Sequence, residues 1–391
     1  MPNLATLILP LTLIVVFLAQ SSANVFNIMH FGARPDAITD SSAALLEAWS
    51  LACASAMPST VFVPPGRFLL RNVLLQGPCR NPAMAVRIFG TLLAPADYNA
   101  IGDKGTWLHF EGLDGLSVLG GTIDGRGAAL WDCKKTRRNC PSGATNLGVT
   151  KSKNVMIAGV TSLNSQMFHI VIHSSDGVRL RGISVEAAGD SPNTDGIHVQ
   201  LSGDVSIFNT RIGTGDDCIS IGPGTDRLFI HNVACGPGHG ISIGSLGKSY
   251  EEPGVQNITV ENVAFKETQN GVRIKTWGRP SRGFVRGVVF HHATMSDVRY
   301  PIVIDQNYCP DNRNCPGQVS GVKISDVRYE DIRGTSASEV AVKFDCSKAN
   351  PCEGIEMENV NLSYMNRPAR ASCSNAAGSA SGLINPTSCL D

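Results

Sequence analysis

Two aspartates and a histidine stand at matched positions beside short apolar runs of the sequence, and a third aspartate adjoins one of them. Asp195 and Asp217 each lie two residues before an isoleucine inside such a run. His239 holds the same position beside the next run, and Asp216 directly precedes Asp217. If the runs are stacked strands, the matched aspartates lie about 4.8 Å apart. Such carboxylates repel each other, so one keeps its proton beside ionised partners, as hydrolysis of a glycosidic bond requires.

Two basic residues extend this cluster onto the next repeat. Arg273 and Lys275 occupy alternate positions of an apolar run, between inward-facing aliphatic residues. Because side chains alternate along a strand, both cations are expected on the outward face. Guanidinium and ammonium groups bind carboxylates, so we expect them to hold an acidic sugar. An Asp-Gly pair considered alone indicates a turn, and a single Arg or Lys usually indicates a solvated surface charge. The alignment of these acidic and basic residues on successive repeats favours a functional site instead.

Two other patterns do not indicate chemistry. The segment 240–244 matches the G-x-S-x-G pattern of serine hydrolases, but that nucleophile requires a strand-turn-helix. Ser242 lies inside an apolar run, and Ser220 repeats it one run earlier, so both are expected in a ladder of strand serines. His169 and His173 would suit zinc on a helix, but in a strand they lie roughly 13 Å apart.

The spacing of the apolar runs indicates one structural unit repeated along the chain. Matched residues recur at steps of 27, 22, 22, 31 and 30, namely Ile170, Ile197, Ile219, Ile241, Val272 and Ile302. A second, interleaved series comprises Val155, Val178, Val205, Leu228, Ile258, Val288 and Val322. Each short run meets Gly, Asn, Asp or Ser, which is typical of a strand followed by a tight turn. This period predicts an all-β fold, a single-domain right-handed parallel β-helix.

The open end of such a solenoid needs a cover, because it exposes core and unpaired backbone. A short N-terminal capping helix is predicted at about Ser41 to Ala54, capped by Asp40 or Ser41. Its apolar stripe comprises Leu45, Trp49 and Ala52. Asparagines whose amides could stack between coils recur at Asn154, Asn232, Asn257, Asn262 and Asn359. The tail beyond Asn366 is expected to wrap loosely, and no linker divides residues 24–391.

The N-terminus and the composition predict a secreted protein. Residues 1–23 resemble a signal peptide, with an apolar run over Leu4 to Ala19 and small residues before a cleavage site at Ala23. The balance of 33 basic and 33 acidic residues argues against nucleic acid as a partner, and no later segment is apolar for long enough to span a membrane. Sequons at Asn257 and Asn361 are candidate glycosylation sites.

The twelve cysteines predict disulfide bonds. Their number is even, no C-x-x-C pair favours zinc, and a signal-like segment precedes them. They are Cys53, Cys79, Cys133, Cys140, Cys218, Cys235, Cys309, Cys315, Cys346, Cys352, Cys373 and Cys389. Proximity in sequence favours the pairs 133–140, 309–315, 346–352 and 373–389, which leaves 53–79 and 218–235; the sequence does not prove this connectivity.

Four motifs in order resemble those of the polygalacturonases, glycoside hydrolase family 28. They are Asn193-Thr-Asp195, Gly215-Asp-Asp217, Gly238-His-Gly240 and Arg273-Ile-Lys275. Phe31-Gly-Ala33 with Thr39-Asp40 is similar to the start of plant members. The resemblance runs from about Val25 to the C-terminus, and none of the motif residues departs from the pattern.

The resemblance implies an inverting hydrolase that acts on α-1,4-linked galacturonate. Asp216 would be the general acid, and Asp195 and Asp217 would activate water, with acid and base about 6.5–9.5 Å apart. His239 would tune the protonation of the acid. The implied substrate-binding residues are Asn193, Arg273, Lys275 and Tyr308.

The overall pattern is similar to pollen-type exopolygalacturonases, a group that includes plant allergens. It implies a monomeric enzyme of the extracellular plant cell wall that acts on pectin without a cofactor or metal. Three alternatives stay open: an endo-acting polygalacturonase, a calcium-dependent pectate lyase, in which the aspartates would be Ca²⁺ ligands, and a wall-binding β-helix without catalysis.

Overall fold

The computed structural model describes residues 24–136, 139–310 and 313–391. Two long sheets run along a solenoid whose strands pair almost entirely in parallel. Connections between parallel strands of one sheet prefer the right-handed sense. The chain is therefore a right-handed parallel β-helix, as the sequence predicted. The predicted signal segment, residues 1–23, lies outside the described residues.

The smaller sheet has eleven strands in the order of the sequence. Its strands are Val73–Gln76, Thr106–Glu111, Thr145–Thr150, Ile170–His173, Ile197–Gln200, Ile219–Ile221, Ile241–Leu246, Asn270–Trp277, Tyr300–Tyr308, Val340–Asp345 and Arg370–Ser374. We call it the eleven-stranded sheet; it carries the acidic residues singled out above.

The larger sheet has twenty strands and closes the other sides of the coil. Its strands are Asn24–Asn27, Asp36–Asp40, Ser59–Val63, Arg67–Leu69, Met84–Ile88, Thr91–Leu93, Leu116–Leu119, Thr122–Asp124, Lys153–Ala158, Thr161–Leu163, Asp176–Arg181, Ser184–Glu186, Gly203–Gly213, Asp226–Cys235, Val255–Lys266, Phe284–Val298, Lys323–Ser336, Cys352–Tyr364, Arg367–Pro368 and Ala376–Asn385. Among these, Cys352–Tyr364 pairs in antiparallel fashion with Arg367–Pro368.

The core is built from columns of like residues on successive coils. The first predicted series is confirmed throughout, because each member pairs with the next, from Ile170 and Ile197 to Val272 and Ile302. Every residue of this column is fully buried. Since the aliphatic side chains point inward at alternate positions, the residues between them are left to face out of the eleven-stranded sheet.

Helix α1, Ser42–Ala54, covers the first coil as predicted. The predicted stripe of Leu45, Trp49 and Ala52 is buried, and the indole nitrogen of Trp49 donates to the Gln76 carbonyl at 3.2 Å. At the N-terminus of α1, Asp40 Oδ1 accepts the Ser42 backbone N–H at 3.0 Å. Asp40 therefore supplies one acceptor for the N–H groups that a helix start leaves unpaired.

Asparagine turns connect neighbouring coils. The five predicted asparagines all adopt positive φ, between 51° for Asn359 and 60° for Asn262, a conformation that asparagine tolerates better than most residues. Asn232 Nδ2 donates to Asn209 Oδ1 at 2.7 Å, one coil away. Asn257 Nδ2 donates to Asp226 Oδ1 at 2.8 Å, so the turn amides do hydrogen-bond between coils.

One element of the architecture was not predicted, and two expectations about it are wrong. A second helix, α2, spans Ala128–Lys135; it is short and lies in a long connection, so no periodicity marked it. Val288 pairs with Val327 and not with Val322, because a long loop before this strand increases the number of residues in that coil. The tail beyond Asn366 does not wrap loosely but adds a final coil to both sheets.

Six disulfides join all twelve cysteines in the pairs that proximity favoured and the two that remained. They are Cys53–Cys79, Cys133–Cys140, Cys218–Cys235, Cys309–Cys315, Cys346–Cys352 and Cys373–Cys389. Among the residues described, no helix combines the length and apolar character that crossing a membrane would need.

Candidate active site

The stacking of coils brings the predicted acids together at the start of consecutive strands. Gly196 N–H donates to the Asp217 carbonyl at 2.9 Å, and His239 N–H donates to the Asp216 carbonyl at 2.8 Å. Three segments that are distant in sequence therefore lie side by side at the N-terminal ends of three central strands of the eleven-stranded sheet. Arg273 pairs with Ser242 one coil further on, as the alignment of the runs predicted.

Asp217 is a buried carboxylate held by two cations, with only 1% of its surface exposed. Lys275 Nζ donates to Oδ2 at 2.8 Å, and Arg273 Nη2 donates to Oδ1 at 2.9 Å. Ser242 Oγ also donates to Oδ1, at 2.8 Å. Burial acts to raise the pKa of Asp217, but the two cations outweigh it and lower that pKa to about 2. Asp217 is therefore ionised throughout the physiological range.

Asp195 is buried like Asp217 but contacts no cation directly. Burial, followed by the negative charges of Asp216 and Asp217, raises its pKa well above the ordinary value. The Ser220 hydroxyl and the more distant Lys275 oppose this effect in part. The cluster therefore places a carboxyl whose pKa is raised beside one whose pKa is lowered.

Asp216 is the most accessible of the three acids, with 19% of its side chain exposed. Its Oδ1 accepts the Asp217 backbone N–H at 2.8 Å and lies 2.9 Å from His239 Nδ1. Asn193 Nδ2 approaches Oδ2 at 3.5 Å. These contacts fix the carboxyl group at the edge of the site, where a bound molecule can reach it.

Two details differ from expectation. Arg273 and Lys275, which the sequence predicts to bind substrate, also form ion pairs with Asp217 that the sequence did not predict. The raised pKa belongs to Asp195, which the family resemblance made a base. One oxygen of Asp216 and one of Asp217 lie within 4.8 Å of each other, since these two residues are neighbours in sequence.

A cavity of about 580 Å³ opens over the three acids. Asn193 and Tyr308, both predicted to bind substrate, line it. Tyr308 places its ring 5.3 Å from Lys275 Nζ and edge-on to the Trp277 ring at 5.5 Å. An amphipathic aromatic wall beside a cation suits a sugar that carries a carboxylate.

His198 lines the same cavity and was missed at the sequence level. Its ring stacks on Phe168 at 5.1 Å between centroids, while Nδ1 lies 2.8 Å from Ser220 Oγ and Nε2 3.1 Å from Gln200 Oε1. Burial lowers the pKa of His198, so the imidazole is neutral. The alignment of the runs could have identified His198. It pairs with Ser220, which pairs with Ser242, and these three residues occupy the same outward-facing position on the three coils that carry Asp195, Asp217 and His239.

The acidic site is poorly suited to a metal ion. Asp216, Asp217 and His239 do bring ligand-type atoms within 4.8 Å of one another. Both oxygens of Asp217, however, already accept hydrogen bonds from Arg273 and Lys275. A divalent cation there would meet two positive charges at close range.

The parallel β-helix and this site together define a glycoside hydrolase. Comparison with protein-family models gives one match, to the glycosyl hydrolases of family 28, over residues 53–389. The chain belongs to this family.

Curated relatives extend the match over almost the whole chain. A protein named polygalacturonase from Prunus persica is 57% identical over 97% of this chain and 98% of its own length. A protein named exopolygalacturonase from Platanus acerifolia is 43% identical over 94% of this chain and 98% of its own length. Among solved structures, an endo-xylogalacturonan hydrolase from Aspergillus tubingensis superposes with a TM-score of 0.78 at 23% identity, covering 92% of this chain and 100% of its own; at that identity it supports the fold.

Proposed function

We propose that this protein is a polygalacturonase, which hydrolyses the α-1,4-galacturonosyl linkages of pectin. The observation that carries the proposal is Asp217, held ionised between Arg273 and Lys275 beside the accessible carboxyl of Asp216. The names of the two plant relatives agree with this activity. Family membership favours a hydrolase over a calcium-dependent lyase, since the family is one of glycosyl hydrolases.

The proposed mechanism assigns one role to each acid. Asp216 protonates the leaving glycosidic oxygen, because it is the acid that a bound chain can touch. Asp217, ionised, accepts a proton from the attacking water, with Asp195 as the second group that orients this water. His239, 2.9 Å from Asp216 Oδ1, holds the acid in position. The three acids share the protons of one site, so the proton that rests on Asp195 becomes available to Asp216 when water is activated.

Substrate binding is assigned to the polar wall of the cavity. Lys275 and Arg273 place positive charge directly below the site, which attracts galacturonate even while both are hydrogen-bonded to Asp217. Tyr308 and Asn193 both line the same cavity. Lys248, exposed at its rim, offers a further cation that the sequence did not single out.

Inversion of configuration is part of the proposal and has its own test. Asp217 accepts three hydrogen bonds and is almost fully enclosed, which disfavours its attack on a sugar carbon and therefore a retaining mechanism. We expect the first anomer of released galacturonate, followed by NMR, to be β. An initial α anomer would contradict inversion without affecting the hydrolase assignment.

Exo action is the proposed mode, with endo action as the alternative. Lys135 of α2 forms an ion pair with Asp190 at 2.7 Å, which ties this helix to the segment that leads into Asn193. A second cavity lies between α2 and Asn193, so the helix stands beside one end of the site. Product analysis separates the modes, because monomer alone from the start indicates exo action and mixed oligomers indicate endo action.

Digestion of polygalacturonate with and without a chelator tests the activity itself. Release of reducing sugar, unchanged by the chelator and without an ultraviolet-absorbing product, is the expected result. An unsaturated product whose formation the chelator abolishes would indicate a lyase. The absence of any product would indicate a wall-binding protein without catalysis.

Secretion to the plant cell wall as a monomer, with cleavage near Ala23, completes the proposal. Six disulfides support an oxidising compartment. Asn257 and Asn361 are exposed, as glycan acceptors must be. N-terminal sequencing and mass determination of protein from culture medium test cleavage and glycosylation together.

A further inference from the structure

A cluster of two histidines and two carboxylates lies on the twenty-stranded sheet, outside the cavity. It comprises His291 and His292 on one strand with Glu330 and Asp331 on the next, and we call it the His-Asp cluster. His291 pairs directly with Glu330 in the register of the sheet. The cluster thus joins two successive coils.

The backbone explains why four polar side chains converge here. His292 and Asp331 both have φ of 51°, outside the extended range of a regular strand. Side chains normally alternate between faces, but this local turn leaves two consecutive residues outside the core on each strand. His291, Glu330 and Asp331 are half-buried and His292 is exposed, so the cluster is accessible from solvent.

Three distances between ligand-type atoms of the cluster are close to those of a coordination shell. His292 Nε2 lies 3.3 Å from Asp331 Oδ2, and His291 Nε2 lies 3.6 Å from the same oxygen. His291 Nε2 lies 3.7 Å from Glu330 Oε1. Ligands about 2.0–2.1 Å from a tetrahedral zinc ion are separated by roughly 3.3 Å. The three separations given exceed this value by a few tenths of an ångström at most, and His291, Glu330 and Asp331 bring their ligand atoms within 4.8 Å of one another.

Hydrogen bonding does not account for this convergence. The two contacts of His291 Nε2 exceed the length of a normal hydrogen bond. On the other side of the same ring, Nδ1 faces Glu261 Oε1 at 3.9 Å. A metal-bound histidine usually donates its second ring N–H to a carboxylate, which orients the ring and leaves Nε2 free; Glu261 would have to approach by about 1 Å to accept that hydrogen bond.

We propose that the His-Asp cluster binds one divalent cation of the zinc class. Imidazole ligands select zinc, copper or nickel over calcium and magnesium, which prefer oxygen alone. The ion would cross-link two coils on the face away from the acids. Its role is therefore structural and separate from hydrolysis.

Calorimetric titration of the full chain with ZnCl₂, after treatment with a chelator and its removal, tests the site. We expect one ion to bind at micromolar concentration and His292→Asn to weaken binding at least tenfold. Asparagine tolerates the positive φ at this exposed position, so the variant should keep its fold and its hydrolytic rate. His30→Asn, on an exposed residue of the first coil, is the matched control and should bind as the wild type does.

Two further measurements make the result decisive. Asp216→Asn should still bind zinc, because the acidic site is a different one; loss of binding there would overturn the assignment. Co²⁺ added to the wild-type chain should give the intense visible absorption of a tetrahedral site with nitrogen ligands. The proposal fails if zinc does not bind up to millimolar concentration, or if His292→Asn leaves the affinity unchanged.

Discussion

Asp217 and Lys275 lie 58 residues apart in sequence, yet Lys275 Nζ donates to Asp217 Oδ2 at 2.8 Å in the interior of the site. Their side chains are only 2% and 9% exposed. Two coils of the solenoid separate them, and the long lysine side chain spans that distance. A charge so well enclosed is stable only with its partner, so the pair couples the chemistry of the site to the stability of the fold.

The ion pair predicts a loss of stability when Lys275 is replaced by Met. Asp217 would keep Arg273 but lose the cation at Oδ2, and breaking a buried pair costs about 3–5 kcal/mol. Urea unfolding should show this decrease, together with weaker binding of galacturonan. Lys323→Met, at an exposed position of the twenty-stranded sheet, is the control and should change little. Equal stabilities of the two variants would refute a structural role for the pair.

Replacement of Asp216 by Asn removes the proposed proton donor while it preserves shape. We expect kcat to fall by about 10²–10⁴-fold, the usual contribution of a general acid. Reducing-sugar assays measure the change. Asp297→Asn provides the matched control, since Asp297 is exposed and has a positive φ of 55°, which asparagine accepts. Wild-type activity in Asp216→Asn would remove this residue from the mechanism.

His239 is proposed to position the acid rather than to bind the substrate. His239→Ala removes the group 2.9 Å from Asp216 Oδ1, so kcat should fall by about 10²-fold while KM changes little. Steady-state kinetics on polygalacturonate separates the two constants, with His30→Ala as the control. A rise in KM at constant kcat would instead place His239 in substrate binding.

Much of the fold follows from the sequence because the solenoid repeats one unit. From Ile170 to Ile302 the aliphatic positions alone give the strand register, and Asp195 and Asp217 follow from it by counting. The shift from Val322 to Val327 shows the limit of this method: loops between strands vary in length, and counting fails after a long loop.

The contacts of the site are less predictable than the fold, because the strand register does not determine how far a long side chain extends or which residue it contacts. The alignment places Arg273 and Lys275 on the outward face, but it does not indicate that both reach back over two coils to Asp217. His198 is a similar case, because its role depends on contacts with Ser220 and Gln200. Helix α2 escaped detection because its eight residues carry no clear apolar stripe.

The charges of the site also predict an acidic pH optimum. Asp217 is ionised above about pH 2, while Asp195 keeps its proton to a higher pH because burial and neighbouring carboxylates raise its pKa. Hydrolysis needs one proton in the cluster and one ionised base, so activity should be greatest in the mildly acidic range. Initial rates between about pH 4 and 8 measure this profile. A flat profile would contradict a shared proton.

Asp195 and Asp217 should affect stability in opposite directions as the pH changes. The raised pKa of Asp195 means that its contribution is fully present below its ordinary pKa of 3.8 and is lost as the pH rises through the raised value. The depressed pKa of Asp217 means that its contribution is present above 3.8 and is lost as the pH falls towards 2. At neutral pH, Asp195 therefore destabilises the folded state.

Asp195→Asn should consequently unfold at a higher urea concentration than the wild type at pH 7, with a difference that shrinks towards pH 4, although the variant loses activity. Asp217→Asn is the matched comparison. It leaves Arg273 and Lys275 without their carboxylate, so it should be less stable than the wild type at both pH values, by about 3–5 kcal/mol. If Asp195→Asn were no more stable than the wild type at pH 7, the raised pKa of Asp195 on which the proposed mechanism depends would be absent.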